Sequence, residues 1–165
     1  MKHRSALADI SIRIATNSDA PGISRLLRSL SHTYIVSPDH PEADKFFATL
    51  TEGAISAFIA RHDVLYIVAA KSTAELVGAA AISGEETVEH LFVDPAYQGV
   101  GLGRRLWERL RDHALRSGSA GLFKVNSSLN AVPVYERFGF VIVAPKVERY
   151  GGAYVPMILK LAASS

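Results

Sequence analysis

Leu91-Phe92-Val93-Asp94-Pro95-Ala96-Tyr97-Gln98-Gly99-Val100-Gly101-Leu102-Gly103-Arg104-Arg105 runs from an apolar strand through a proline turn into a glycine-rich loop that opens a helix. Glycines at 99, 101 and 103 leave backbone N–H groups uncovered. The helix that follows points its unpaired N-terminal donors and positive dipole end at whatever anion sits there. The stretch is therefore read as a phosphate cradle. Two phosphate-loop patterns fail on spacing. A dinucleotide fingerprint G-x-G-x-x-G, counted from Gly99 and Gly101, needs a third glycine where the chain has Arg104. A Gly-Lys-Ser/Thr triplet is absent.

A second block lies downstream: Val125-Asn126-Ser127-Ser128-Leu129-Asn130-Ala131-Val132-Pro133-Val134-Tyr135-Glu136-Arg137-Phe138-Gly139-Phe140. Gln98-Gly99-Val100-Gly101-Leu102-Gly103 resembles the Q/R-x-x-G-x-G/A pyrophosphate loop of the GCN5-related N-acetyltransferase superfamily. The second block resembles that superfamily's following strand, cofactor-side helix and Y-x-x-x-G-F ending. The two blocks stand in the family's order with one helix between them, and together they occupy residues 91–140.

The periodicity around these blocks predicts the elements. Ile10-Ser11-Ile12-Arg13-Ile14 alternates and reads as a strand. Asp19-Ala20-Pro21 is a cap with proline in the first turn, ahead of Ile23, Leu26, Leu27 and Leu30 at helical spacing. A second helical region runs through Phe46, Phe47, Leu50, Ile55, Phe58 and Ile59, in two pieces because Gly53 weakens the middle. Strands follow at 64–70, 76–83 and 87–93, joined by short polar turns that imply an antiparallel meander. A helix over 102–117 connects 87–93 to a strand near 121–126, a crossover long enough to make those two strands parallel. A helix at 128–138 and strands near 140–145 and 153–161 complete the chain. The class is α/β (α+β). The resemblance implies a central mixed, mostly antiparallel sheet of about seven strands flanked by about four helices, with the parallel pair splayed apart around a pantetheine arm.

With 165 residues, 48% hydrophobic and 21% charged, the composition fits a single domain over 1–165 with a flexible N-terminal stretch at 1–9. No apolar run has transmembrane length and Met1-Lys2-His3-Arg4 leads into no signal core, so a soluble cytoplasmic protein without membrane attachment is expected. A net charge of +2 does not argue for nucleic acid, and no nucleic-acid partner is expected. The absence of cysteine excludes disulfides and thiolate sites. The six histidines show no close pair at ligand spacing, so no metal is expected. Whether the chain forms a homodimer is open.

The resemblance implies that acetyl-CoA is the cofactor, leaving as CoA. It implies that backbone groups of Leu91, Phe92 and Val93 line the thioester and pantetheine. Gln98, Gly99, Val100, Gly101, Leu102, Gly103 and Arg104 would hold the pyrophosphate, and Ala131 and Tyr135 would also face the cofactor. The family often has asparagine three residues before that alanine. Here stands Ser128, whose contact is weaker or is replaced by a helix cap.

Acetyl transfer to an amine needs a neutral amine, a donor for the developing oxyanion and a proton for the departing thiolate. Tyr135 is the candidate general acid, although Val132, Tyr135 and Phe138 also form an apolar helical stripe. Glu89 is the candidate base, acting directly or through water. Period-two alternation places it with Leu91 and Val93, and places His90 on the other face with Val88 and Phe92 in a structural role. For the acceptor pocket the resemblance points to His32, Tyr34 and Tyr150. The expected activity is direct acetyl transfer to a primary amine of a small molecule. A protein or peptide N-terminal acetyltransferase and a non-catalytic acyl-CoA-binding module are the alternatives.

Overall fold

A computed structural model describes residues 6–162. His3 and the first five residues of the stretch expected to be flexible lie outside them. The rest of that stretch is tied down: Leu7 is buried in the core and its carbonyl accepts from the Ile10 amide. No described helix is long and apolar enough to cross a membrane.

The strands are β1 (Ile10–Ile14), β2 (Val64–Lys71), β3 (Leu76–Ser83), β4 (Thr87–Val93), β5 (Leu122–Ser128), β6 (Val141–Ile142), β7 (Val147–Arg149) and β8 (Gly152–Lys160). Among the described residues they form one sheet in the order β1-β2-β3-β4-β5-β8-β6, with β7 also on β8. Every pairing is antiparallel except β4 with β5. The eighth strand beyond the expected count is β7. The region near 140–145 contributes only the two residues of β6.

Helices α1 (Ala20–Ser29), α2 (Ala43–Phe47) and α3 (Glu52–Ile59) cover one face, while α4 (Leu102–Arg116) and α5 (Val132–Arg137) cover the other. On the α1 face, Ile23, Leu27 and Leu30 pack against Val68, Ala79 and Ala81. On the α4 face, Leu106, Trp107, Leu110 and Ala114 recur at helical spacing and pack against Ile67, Ala80, Ile82 and Phe123. Trp107 anchors this side, edge-on to Phe123 at 5.1 Å and to Phe140 at 5.2 Å.

Three local expectations are corrected. The carboxylate of Asp19 does not cap α1: it accepts from Arg13 at 2.8 and 2.9 Å and from the Thr16 amide. The second helical region breaks at Thr51, whose hydroxyl accepts from the Ala54 amide and starts α3, so Gly53 lies inside a helix. Ser128 belongs to β5 and makes no side-chain cap, since α5 begins only at Val132 after one 3-10 turn.

Candidate active site

The parallel pair is barely a pair. β4 and β5 are in register only at Thr87 with Lys124 and Val88 with Val125, where the Lys124 amide donates to the Glu86 carbonyl and the two side chains form an ion pair. Beyond Val88 the strands part. Toward the splay, the outer edge of Leu91, Phe92 and Val93 faces no strand, while their inner edge remains paired with Gly78, Ala79 and Ala80 of β3.

A β-bulge stands where the strands part. Ile82 pairs with Val88 and Ala81 with His90, leaving Glu89 as the extra residue of β4. A bulge bends its strand and increases the local twist, which accounts for β4 leaving β5 at this point. It also overturns the parity reading. Val88 joins Leu91 and Val93 on the α4 face instead of sharing a face with His90 and Phe92. The Glu89 carboxylate accepts from Ser83 Oγ at 2.6 Å, and Ser83 alternates onto the α1 face with Ala79 and Ala81. Glu89 and His90 are thus neighbours on one face, and Leu91 and Val93 are on the other.

His90 is half-buried and packed. Its Nδ1 lies 2.8 Å from Tyr66 Oη, and its ring is edged by Phe58, Tyr66 and Phe92 at 5.4 to 5.6 Å. Burial holds its pKa down at about 4 and pushes that of Tyr66 up.

At the far end of β4, Gly99 and Gly101 have φ of +79° and +91°, a conformation that favours glycine. None of the amides of residues 99–104 donates to an acceptor among the described residues; the hydrogen bonding resumes with Arg105 N to Gly101 O. A loop of six unpaired N–H groups running into the first turn of α4 suits a pyrophosphate. The side chains contribute less than the backbone here. Gln98 Nε2 donates to the Val93 carbonyl at 2.9 Å, tying the loop to β4. Leu102 is buried in the core, and Val100 packs against it. The Arg104 guanidinium lies 5.1 Å over the Phe138 ring and donates to the Arg137 carbonyl, joining α4 to the end of α5.

Tyr135, on α5, is buried with its ring edge-on to Phe140 and Phe138, and burial raises its pKa. Its hydroxyl makes no hydrogen bond to the described residues, although it is not one of the fully enclosed polar atoms. Ala131 ends the turn before α5 and Ser128 ends β5, both half-buried.

On the acceptor side, His32 is exposed in a 3-10 turn. Tyr34 is buried: its hydroxyl donates to the Leu27 carbonyl at 2.6 Å, and its ring meets Phe46 and Phe92. Its ring packs beside Phe92 of β4 and its hydroxyl proton is already engaged. Tyr150, at φ +53°, is bonded by Arg149 and lies under Lys45. The segment carrying Tyr34 and the β7–β8 turn are drawn together because the Val36 and Ser37 amides both donate to the Gly151 carbonyl. Gly151 has φ +82°, and a Cβ there would lie 2.4 Å from the Ser37 carbonyl oxygen. Sequence reasoning missed Ser83 and Tyr66, the two residues that hold Glu89 and His90. Their partnerships depend on the bulged register, which no local pattern announces.

Comparison with known proteins agrees with this geometry. A family model described as an acetyltransferase (GNAT) domain matches residues 35–161. The L-methionine sulfoximine/L-methionine sulfone acetyltransferase of Salmonella typhimurium is 43% identical over 61 residues, a match spanning 35% of this chain and only 36% of that protein. Among solved structures, the PaiA N-acetyltransferase of Thermoplasma acidophilum in complex with coenzyme A superposes with a TM-score of 0.73 at 15% identity, covering 92% of this chain and 99% of that one. A GCN5-related N-acetyltransferase of Rhodopseudomonas palustris gives 0.71 at 22% identity over 93% and 97%. The splayed strands, the amide-lined loop and the matched residues have one reading: the chain belongs to the GNAT family of acetyltransferases.

Proposed function

We propose that the protein moves the acetyl group of acetyl-CoA to the primary amine of a small molecule, in the cytoplasm, by direct attack within a ternary complex formed in one domain. The observation that carries this is the opening between β4 and β5 ending in the unpaired amides of residues 99–104. It offers an extended arm a strand edge to lie along and its pyrophosphate a cradle. With the thioester carbonyl against the free edge of β4, a backbone N–H there would stabilise the oxyanion.

Tyr135 would donate a proton to the thiolate of CoA, and its unpartnered hydroxyl supports that role. Glu89, held by Ser83, would take a proton from the incoming ammonium directly or through water. The absence of cysteine accords with transfer that uses no thiol acyl-enzyme. Two observations favour a small acceptor over an extended peptide: the 34–37 segment is tied to the β7–β8 turn across that side, and the partial relative from Salmonella typhimurium is named for small amino-acid substrates. A panel of amines, amino acids, aminoglycosides and peptides incubated with acetyl-CoA and read by thiol release tests the reading. Turnover is expected on a small amine. Turnover confined to peptides would overturn the acceptor class, and thiol release no faster than hydrolysis throughout would overturn the catalytic assignment.

A further inference from the structure

β1 is an outer strand of the sheet, and among the described residues its second edge pairs with no strand. The Ala15 amide donates to the Tyr66 carbonyl, so by the alternation of an antiparallel ladder Arg13 and Ser11 also turn their backbone groups to β2. Ile10, Ile12 and Ile14 therefore turn theirs outward. Two of these six groups are already used: the Ile10 amide donates to the Leu7 carbonyl, and the Ile14 carbonyl accepts from Arg13 Nη1. The Ile12 amide and carbonyl, the Ile14 amide and the Ile10 carbonyl remain. On the same strand Ile14 is 66% exposed, more than any other large apolar side chain among the described residues.

The four remaining groups have two-fold symmetry. A second β1 laid antiparallel, with Ile12 opposite the partner's Ile12, uses all of them. The two Ile12 residues exchange a pair of hydrogen bonds, and each Ile14 amide meets the Ile10 carbonyl of the other strand. The same register sets the exposed Ile14 against the partner's Ile10. It thereby extends the row of Ile10 and Ile12 that already packs on the α4 face.

The helix beside this edge carries the matching charges. Between α4 and Ile10 and Ile12 lies a groove of about 540 Å³ lined by Arg105, Glu108, Arg109, Asp112 and Arg116. Arg105, Glu108 and Arg109 enter no ion pair among the described residues, and Asp112 is bound only by its neighbour Arg111. α4 returns antiparallel to β4, from which β1 is separated by three antiparallel pairings, so α4 and β1 run the same way. An axis that reverses β1 therefore reverses α4 as well. The spacing of 105, 108, 109 and 112 is unchanged by reversal, while its signs, cation, anion, cation, anion, are exchanged. Arg105 then stands opposite the partner's Asp112, and Glu108 opposite the partner's Arg109, each pair occurring twice. Residues 105–112 cover about 11 Å of helix and residues 10–14 about 13 Å of strand, so both patterns repeat over one length.

We propose that two copies of the chain associate about a two-fold axis through Ile12, joining their sheets edge to edge at β1 and flanking the seam with the charged sides of α4. The backbone groups, the exposed isoleucine and the charge order each select a second copy over an unrelated strand, because each is complementary to its own reverse. The opposite edge of the sheet offers no such template: β6 is two residues long and Pro145 follows shortly after it. β1 lies three places from β4 in the sheet, so the association leaves the opening between β4 and β5 free and does not depend on the acetyl-transfer reading.

The test is sedimentation velocity of the whole chain from roughly 1 to 100 µM, at low and high salt. The wild type should sediment as a dimer whose Kd rises with salt. Arg109→Glu sets two like-charge contacts on Glu108 and should raise Kd about tenfold or more. The double variant Glu108→Arg with Arg109→Glu exchanges the signs and should return Kd to near the wild-type value. Ile12→Pro removes an amide that points away from β2, so the ladder with β2 persists while the central hydrogen bonds of the seam are lost, and the variant should be monomeric throughout. Thermal melts establish that each variant is folded, and if Ile12→Pro is not, the two charge variants decide. A wild type that stays monomeric would overturn the proposal. So would a dimer indifferent to Arg109→Glu, or one weakened equally by the single and the double variant.

Discussion

Gly101→Asp should weaken cofactor binding by about a hundredfold or more and leave the fold in place. An L-residue at φ +91° costs about 1–2 kcal/mol of backbone strain. A Cβ at Gly101 meets nothing within 4 Å, so no steric cost is added to the empty loop. For a chain of this size that strain corresponds to a fall in melting temperature of roughly 3–6 °C. Binding should suffer more. A carboxylate about 5 Å from a phosphate charge, at an effective dielectric of about 20, is repelled by ~3 kcal/mol, or roughly a hundredfold in Kd. The Cβ also crowds the line of amide donors. Gly101→Ala separates the contributions, retaining the strain and the crowding without the charge, and should weaken binding by a smaller factor. Titration calorimetry with acetyl-CoA, beside thermal melts of the three proteins, reads both quantities. Wild-type affinity in Gly101→Asp would refute the placement of the pyrophosphate on this loop.

Tyr135→Phe removes a hydroxyl that bonds nothing in the described structure, so stability and acetyl-CoA affinity should hold while kcat falls by roughly 10²–10⁴; turnover at the wild-type rate would make Tyr135 a packing residue. Glu89→Gln should bind acetyl-CoA normally, turn over slowly near pH 7 and recover as pH rises and solution supplies free amine; equal losses at every pH would mean that Glu89 positions the acceptor. Stability should fall as the medium is acidified from pH 7. The unfolded chain protonates His90 near pH 6.5 and the folded one only at about 4, so across that window the unfolded state binds more protons and folding stability falls by up to ~3 kcal/mol. Asp19, lowered chiefly by its hydrogen bonds from Arg13, stabilises above its unfolded pKa and loses that contribution as pH falls further. A melting temperature unchanged between pH 6.5 and 4.5 would contradict a buried neutral imidazole.

The central hairpins were legible because their signals are local. The strands at 76–83 and 87–93 are bounded by polar turns, and the structure gives them those bounds. The helix expected at 102–117 starts at Leu102 and ends at Arg116 because glycines and an apolar stripe mark it from within. What eluded the sequence is non-local. The bulge at Glu89 is a mismatch between two strands, and a one-residue slip moves side chains to the opposite face. So the alternation put Glu89 with Leu91 and Val93, whereas the bulge turns it to the α1 face beside His90. β7 is three residues long with polar Glu148 and Arg149 exposed, and only pairing with β8 reveals it. Tyr34 reads equally as a pocket aromatic and as a buried one, and only the fold shows its hydroxyl donating to the Leu27 carbonyl.

The most direct measurement is a crystal structure of the protein with acetyl-CoA. The pyrophosphate should accept from the amides of residues 99–104, the pantetheine should lie between β4 and β5 beyond Val88, and the thioester should stand within reach of Tyr135 Oη on one side and the Glu89–His90 bulge on the other. A cofactor bound elsewhere, or one whose thioester lies out of reach of both Tyr135 and the bulge, would contradict the account.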